Sequence, residues 1–284
     1  MAEAVRTSEL VERRERLLAQ RGRDDPETVS LTERLRATLA EGTVVRALEP
    51  GPTGADRDLA VSLARREPVH PAGDAAELRR RLATDRRVFV AEHPSLPGRP
   101  MNVLWVALCR GVPETLAEVL SPEVPVLDPE VGDSAVFYSI WNAQGGLAGI
   151  GAGTQLVKDA GEQLRSELGG LEVLTTMSPV PGFRTWHERH RTREDLAASC
   201  ATYLRTIGPD GRLLDPVARF HMGNGARLWR VLPDADPSQR GRDRSFGVMA
   251  NYRYHPEDIA ANLSALRAGH PVVGDQVASL TDSA

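Results

Sequence analysis

The chain has 284 residues, of which 41% are hydrophobic and 26% are charged, and its formal net charge at pH 7 is −4. This composition is ordinary for a soluble globular protein that is long enough to bury a full core. The negative net charge gives no general attraction for nucleic acid or for an anionic membrane surface, so we expect neither as a partner.

The cysteines and the lengths of the apolar runs indicate in which cellular compartment the protein is expected. Cys109 and Cys200 are the only cysteines, and their wide separation suits neither a zinc site nor a disulfide framework. No apolar run reaches the length of a membrane span, and the first residues do not have the pattern of a secretory signal. We therefore expect a cytoplasmic, reduced protein that needs no metal.

The first 66 residues are predicted to form a short, polar helical segment that is separable from the rest. Leu10, Leu17 and Leu18 share one helical face, and residues 30–33 have the pattern of a capping box that opens a second helix. The stretch 49–54 is rich in proline and glycine and is the best linker candidate. We expect a helical segment at 1–66 and an α/β domain at 67–284.

The density of strand-like segments rises after the linker. Residues 87–91 and 103–108 flank a loop with proline and glycine, which is the pattern of a hairpin, and a further strand is predicted at 135–140. A glycine-rich run at 144–154 follows that strand. It leads into a helix whose apolar residues share one face, namely Leu156, Val157, Ala160, Leu164 and Leu168. Gly169 and Gly170 end this helix, and 173–176 is the next predicted strand.

The order of strand, glycine loop, helix and strand indicates a site for a phosphate-bearing ligand. Unpaired amides and the helix dipole favour an anion at a helix start, and glycine lets the anion come close. The run lacks G-x-G-x-x-G, the next strand lacks the acidic residue of a dinucleotide site, and no triphosphate-loop lysine follows. Coenzyme A fits best, and a loop that serves only tight packing is the alternative.

Two later segments hold reactive side chains where the backbone has little freedom. Ser178 precedes Pro179, which disfavours helical backbone, and His221 lies within the segment 218–226. A surface turn and a histidine satisfied in the core are the alternative interpretation. The pair lacks the G-x-S-x-G elbow of a hydrolase, and Asp215 is a candidate to orient His221.

A histidine pair at His187 and His190 is predicted to be part of a solvated helix start. Its spacing differs from the H-E-x-x-H spacing of a metal site, so we expect no metal there.

Several motifs in one order resemble the malonyl-CoA decarboxylase family. They are found at 137–140, 146–153, 173–183, 215–226 and 251–254, and the resemblance covers roughly residues 66 to 262. It implies an α/β fold like that of the GNAT acyltransferases, with a mixed sheet flanked by helices. It also implies a decarboxylase of malonyl-CoA, or of a close malonyl thioester such as methylmalonyl-CoA or an acyl-carrier-protein-bound form.

The resemblance further implies which residues form the site. Ser178 stands at the family's proton acceptor, His221 at its proton donor, and Tyr254 at a tyrosine near the site. The implied CoA-binding segment comprises Ala148, Gly149, Ile150, Gly151, Ala152, Gly153 and Thr154. No cofactor beyond the CoA moiety of the substrate is required, since the thioester is itself the electron sink.

The chain also departs from the family's pattern. Members carry a larger helical N-terminal domain that builds oligomers, so this chain is expected to be a shortened form, and a homo-oligomer and an acyl carrier protein are open partner candidates. Gly151 stands where relatives carry a larger polar side chain. A CoA-dependent acyltransferase and a non-catalytic acyl-CoA sensor stay as alternatives, although a sensor would need neither Ser178 nor His221.

Overall fold

The computed structural model describes residues 2–49, 51–190 and 195–282. The elements of its first half are α1 (Ala2–Arg21), α2 (Pro26–Thr38), β1 (Val44–Ala47), α3 (Ala55–Arg66), α4 (Ala75–Arg81), β2 (Arg86–Glu92), β3 (Asn102–Cys109), α5 (Leu116–Leu120) and β4 (Ser134–Asn142). Those of its second half are α6 (Gly153–Glu167), β5 (Val173–Thr176), β6 (Ser178–Pro179), α7 (Phe183–His190), α8 (Leu196–Arg205), α9 (Pro216–Gly223), β7 (Arg227–Leu232), α10 (Gln239–Ser245), β8 (Met249–Tyr254), α11 (Ile259–Arg267) and α12 (Asp275–Asp282).

The chain folds into two compact units that are interleaved along the sequence. The first comprises Met1–Val106 and Ser139–Gly169, and the second comprises Ala107–Tyr138 and Gly170–Ala284. β3 and β4 each contribute residues to both units. The domain boundary expected near residue 66 rests on composition and stays a prediction.

The sheet of the first unit begins with β1, β2 and β3 as neighbours. β1 and β2 are antiparallel, with Val44 opposite Glu92 and Ala47 opposite Phe89. β2 and β3 are almost continuously buried, which is typical of strands that are covered on both faces. Both strands of the expected hairpin are therefore present, each two residues longer than predicted.

The helices α1 and α2 pack against each other, and α1 also packs against a 3-10 turn at Gly145–Leu147. The capping box expected at residues 30–33 is wrong, because α2 begins at Pro26 and these residues lie in its interior. Asp25 caps the helix instead, accepting from the amides of Glu27 and Thr28 at 3.1 Å each. An aspartate at the cap followed by proline at the first helical position is a stronger start signal.

The helix α6 follows the glycine-rich run as predicted. Its predicted apolar face is the buried one, and Leu168 is buried at its C-terminal end. The side chains at this face recur at helical spacing, so local periodicity was sufficient to identify it.

The sheet of the second unit is mixed. β4 runs parallel to β5, with Ser134 opposite Val173 and Phe137 opposite Thr176. β8 is antiparallel to β5 and β6 along one edge and to β7 along the other. Helices α7, α8 and α12 pack around this part of the chain. The expected α/β fold with a mixed sheet and helices is therefore confirmed.

One feature of these strands positions a candidate site residue. Ser178 is extended, as its position before proline predicts, and it pairs with Ala250 of β8.

Among the described helices, none combines the length and the apolarity that a bilayer span requires.

Candidate active site

The position of His221 is fixed by the start of α9. Asp215 caps this helix by accepting from the amides of Val217 and Ala218 at 2.9 and 2.8 Å, and Pro216 occupies the first helical position. The helix then places His221 in the interior of the second unit, where the residue is 3% exposed.

Ser178 reaches the same place from β6. Its Oγ lies 3.3 Å from Nε2 of His221 and 2.8 Å from Oγ1 of Thr176. The two residues are 43 positions apart in the sequence, and the pairing of β6 with β8 brings them together. The structure therefore shows the proximity of Ser178 and His221 that a shared site requires.

Tyr252 and Tyr254 approach His221 from β8. The hydroxyl of Tyr254 lies 2.8 Å from Nδ1 of His221, and the ring of Tyr252 stacks on the imidazole with centroids 4.8 Å apart and an interplanar angle of 22°. Alternate residues of a strand lie on one face, which explains why both tyrosines contact the same histidine.

The hydrogen-bond network assigns a direction to the protons. Ser178 donates its hydroxyl hydrogen to Thr176, so its oxygen is available as an acceptor for His221. A neutral imidazole has one donor and one acceptor nitrogen, so Nε2–H facing Ser178 leaves Nδ1 to accept from Tyr254. The donor order is therefore Tyr254, His221, Ser178 and Thr176.

Burial sets the protonation of this network. It lowers the pKa of His221 to about 3, so that the imidazole is neutral at physiological pH. It also raises the pKa of the Tyr254 hydroxyl, which stays protonated. The pair is thus a set of neutral hydrogen-bond donors in a medium where such donors act strongly.

Thr176 binds the Ser178 hydroxyl, and Asn251 in turn holds Thr176 in place. Thr176 Oγ1 accepts from the backbone amide of Tyr252 at 3.0 Å, and Asn251 donates its side-chain amide to the Thr176 carbonyl oxygen. Arg230 in turn donates to Oδ1 of Asn251 at 2.8 Å. Sequence reasoning missed Thr176 and Tyr252, although each lies two positions from a predicted site residue and a period of two could have identified them.

The other candidates of the sequence have structural roles in this unit. Asp215 acts on α9 through its capping bonds, and burial raises the pKa of this carboxyl to about 7. His187 and His190 lie in the last turn of α7, so the expected helix start is wrong. Nδ1 of His187 is 2.7 Å from Ser199 Oγ, and the His190 ring stacks on Trp186.

The expected CoA-binding segment lies in the first unit. Gly149 has φ of +77°, a conformation that favours glycine, and Ala152 caps α6 without a side-chain hydrogen bond. Gly153 and Thr154 begin the first turn of α6, which holds no acidic residue. A cavity of about 380 Å³ lies against Ile150, Gly151 and Ala152. Backbone amides at a helix start that has no side-chain cap can donate hydrogen bonds to an anion in the adjacent cavity.

Comparison with known proteins assigns the family. The family model described as "Malonyl-CoA decarboxylase C-terminal domain" matches residues 57–201 and 191–281. The mitochondrial malonyl-CoA decarboxylase of Anser anser anser is 31% identical over 268 residues, covering 75% of this chain and 53% of that protein. The chain thus spans about half the length of the curated relatives that it matches.

Solved structures agree with this assignment. The crystal structure of malonyl-CoA decarboxylase from Agrobacterium vitis has a TM-score of 0.88 and 33% identity, covering 96% of this chain and 76% of that one. The loading GNATL domain of CurA from Lyngbya majuscula, at 18% identity and a TM-score of 0.53, covers 78% of this chain and all 100% of its own and shows the fold alone. The GNAT-like fold is therefore confirmed, and the chain belongs to the malonyl-CoA decarboxylase family.

Proposed function

We propose that this chain decarboxylates malonyl-CoA, or a close malonyl thioester, to the acyl thioester and CO2. The observation that carries the proposal is the buried chain of hydrogen bonds from Tyr254 through His221 to Ser178. Membership of the family supplies the substrate class, and the relatives from Anser anser anser and Agrobacterium vitis are malonyl-CoA decarboxylases.

The chemistry needs stabilisation of an enolate. When the bond between the carboxylate carbon and the α-carbon breaks, its electron pair moves into the thioester and CO2 leaves. The thioester oxygen then carries the negative charge. Ser178 Oγ and His221 Nε2 are 3.3 Å apart and bond to each other, so substrate must replace that bond. With the Ser178 hydroxyl turned from Thr176 toward the substrate, both donors can contact a single oxygen atom. Each well-placed donor contributes about 3 kcal/mol to lowering such a barrier.

The same network delivers the proton that completes the reaction. Nε2–H of His221 protonates the α-carbon of the enolate, which is a stronger base than an imidazole nitrogen. Tyr254 restores the charge balance by donating its hydroxyl proton to Nδ1. Solvent resupplies Tyr254, so the overall reaction consumes one proton for each CO2 released. A neutral imidazole acting as the electrophilic donor is an established catalytic pattern.

The CoA part of the substrate is assigned to the segment 148–154. Its support is the α6 N-terminus, which has no side-chain cap and no acidic residue in its first turn. The phosphates of CoA would accept from these amides, and the macrodipole favours their charge.

The test measures CO2 and acetyl-CoA together from purified protein and malonyl-CoA. We expect equal amounts of both, and kcat losses on the order of a hundredfold for Ser178→Ala and for His221→Ala. The double variant should lose less than the product of the single losses, because the two residues act as a unit. His190→Ala, a histidine of α7 outside the network, is the matched control.

Other outcomes point to the alternatives. Acyl transfer to an added acceptor in place of acetyl-CoA release would identify an acyltransferase. Tight CoA binding without turnover would identify a sensor. Equal rates above background for the parent, the two single variants and the double variant would show that the chemistry lies elsewhere.

A further inference from the structure

Three arginines from the N-terminal helices surround the glycine-rich run within the first unit. Arg14 belongs to α1, Arg36 belongs to α2, and Arg23 lies in the turn between them. None of them belongs to the expected CoA-binding segment or to the family's motifs quoted above.

Each guanidinium is close to the backbone of the run. Arg14 donates to the carbonyl oxygens of Gly146 and Ala148, the latter at 2.9 Å. Arg36 donates to the carbonyl oxygen of Gly149 at 3.1 Å. A Cβ placed on Gly149 would lie 3.8 Å from Nη1 of Arg23. Three positive charges therefore converge on one short stretch of backbone.

These charges have no carboxylate partner. Arg13 and Arg21 of α1 both form ion pairs with Glu27, whereas Arg14, Arg23 and Arg36 form none among the residues that the structure describes. Burial lowers the pKa of the Arg14 guanidinium, and the positive charges of Arg23 and Arg36 lower it further. The three arginines therefore repel one another. An anion bound here would relieve this repulsion.

The place for that anion is the cavity of about 380 Å³. Arg36 lines it on one side, and Gly151, Ala152 and Gln155 line it at the start of α6. Arg36 donates one hydrogen bond to the carbonyl oxygen of Gly149, and its other guanidinium N–H groups can donate to a ligand. Arg36 is exposed and lines the cavity, and Arg23 is exposed beside Gly149, the residue before Ile150 of the lining. Arg14 is 3% exposed and holds the loop.

We propose that Arg36 and Arg23 bind a phosphate group of the CoA moiety, so that the helical N-terminal segment forms part of the substrate site. The identity of the ligand as CoA rests on the proposed function. The phosphate is either the 3′-phosphate or the pyrophosphate of CoA, since a guanidinium binds both by the same charge-assisted hydrogen bonds.

The test compares malonyl-CoA with malonyl-pantetheine, which carries no phosphate. Arg36→Gln and Arg23→Gln should each raise KM for malonyl-CoA by roughly tenfold, the loss expected for one charge-assisted hydrogen bond. kcat, and the kinetics with malonyl-pantetheine, should stay unchanged because no phosphate is involved. Arg34→Gln, an exposed arginine on the same helix α2, is the matched control and should change neither KM.

Malonyl-dephospho-CoA identifies which phosphate is bound. If Arg36 binds the 3′-phosphate, the dephospho substrate has a high KM with the parent protein, and Arg36→Gln adds nothing further. If it binds the pyrophosphate, Arg36→Gln weakens both substrates equally. Either result supports the proposal.

Equal KM values for malonyl-CoA in Arg36→Gln, Arg23→Gln and Arg34→Gln would overturn the proposal. If the parent protein shows no turnover, the proposed function fails, and calorimetric titration with CoA then tests the arginines alone. Thermal unfolding of every variant, with and without CoA, separates lost binding from lost stability.

Discussion

The hydroxyl of Tyr254 and the Nδ1 atom of His221 are 2.8 Å apart, on the edge of the imidazole that faces away from Ser178. The histidine is thereby held between two hydroxyl groups, with a tyrosine on one nitrogen and a serine on the other. A hydrogen bond on Nδ1 fixes both the tautomer and the orientation of the ring.

Tyr254→Phe removes this bond and keeps the ring. We expect kcat for decarboxylation to fall on the order of a hundredfold, because the imidazole loses the bond that orients it and the hydroxyl that resupplies its proton. KM should change little, because the tyrosine acts on the histidine. Tyr252→Phe is the comparison, since the Tyr252 hydroxyl has no hydrogen-bond partner among the described residues. A larger kcat loss for Tyr252→Phe than for Tyr254→Phe would contradict this expectation.

Thr176→Val should lower both activity and stability. Its hydroxyl oxygen accepts from Ser178 and from the Tyr252 amide, and the variant leaves that buried amide unpaired at a cost of about 1–3 kcal/mol. Ser178 also loses the acceptor that directs its proton away from His221. The measurements are steady-state kcat and denaturant unfolding.

Thr175→Val is the matched control in the same strand. Thr175 is fully buried and donates to the carbonyl oxygen of Tyr252 at 3.1 Å, and the hydrogen bonds of Ser178 among the described residues go to Thr176 and His221 instead. We expect it to reduce stability and to leave kcat nearly unchanged. Equal kcat losses in both valine variants would show that Thr176 acts through stability alone.

The low pKa of His221 makes stability depend on pH. In the folded protein its pKa is about 3 and the ordinary value is 6.5, so the unfolded chain binds more protons between these two values. Stability therefore falls as pH drops from 6.5, by up to about 1.4 kcal/mol per pH unit. In His221→Gln this contribution is absent, so the stability difference between parent and variant should shrink as pH falls. A constant difference between pH 7 and pH 5 would contradict the assignment.

Asp215 contributes with the opposite sign. Burial raises its pKa from 3.8 to about 7, so the folded protein binds more protons than the unfolded chain across that range. Stability from this group falls as pH rises from 4 to 7. Asp215→Asn keeps a capping oxygen for α9 and should gain stability relative to the parent as pH rises. Denaturant unfolding at several pH values measures the free energy of unfolding of both proteins. A difference between parent and variant that stays the same at every pH would exclude this contribution of Asp215.

Gly146→Ala should displace α1 from the glycine-rich run. A Cβ at Gly146 would lie 2.0 Å from the backbone oxygen of Val11, a distance that backbone atoms cannot yield to without movement of the helix. We expect a loss of about 1–3 kcal/mol in the free energy of unfolding. Gly151→Ala is the matched control, since a Cβ at Gly151 meets nothing within 4 Å. Its free energy of unfolding should stay within about 0.5 kcal/mol of that of the parent. Equal stability of both variants would show that α1 does not pack as described.

Local patterns in the sequence predicted the elements that depend on near neighbours. The apolar face of α6 and the extended backbone at Ser178 needed only helical spacing and a following proline. The start of α2 was missed because two cap signals lie close together, and the one at Asp25 prevails. The stacking of Tyr252 on His221 depends on the register of β8, which is set by pairing between distant segments.

The arginine cluster could not be predicted for a different reason. Arginine is so frequent in this chain, in which Lys158 is the only lysine, that its presence at any one position is uninformative. Arg14, Arg23 and Arg36 differ from the others because folding brings all three to one loop, where none forms an ion pair within the described part of the chain.

The bonds from Arg14 to the carbonyl oxygens of Gly146 and Ala148 also bear on how this protein can be cut for expression. A recombinant fragment that starts at residue 67 would lack α1, and both carbonyls would lose their donor. Gly146, shaped to receive the backbone of Val11, would face solvent. Removing the N-terminal helices would therefore leave the glycine-rich run without the hydrogen bonds and packing of α1, so a recombinant form for crystallisation or inhibitor screening should retain α1.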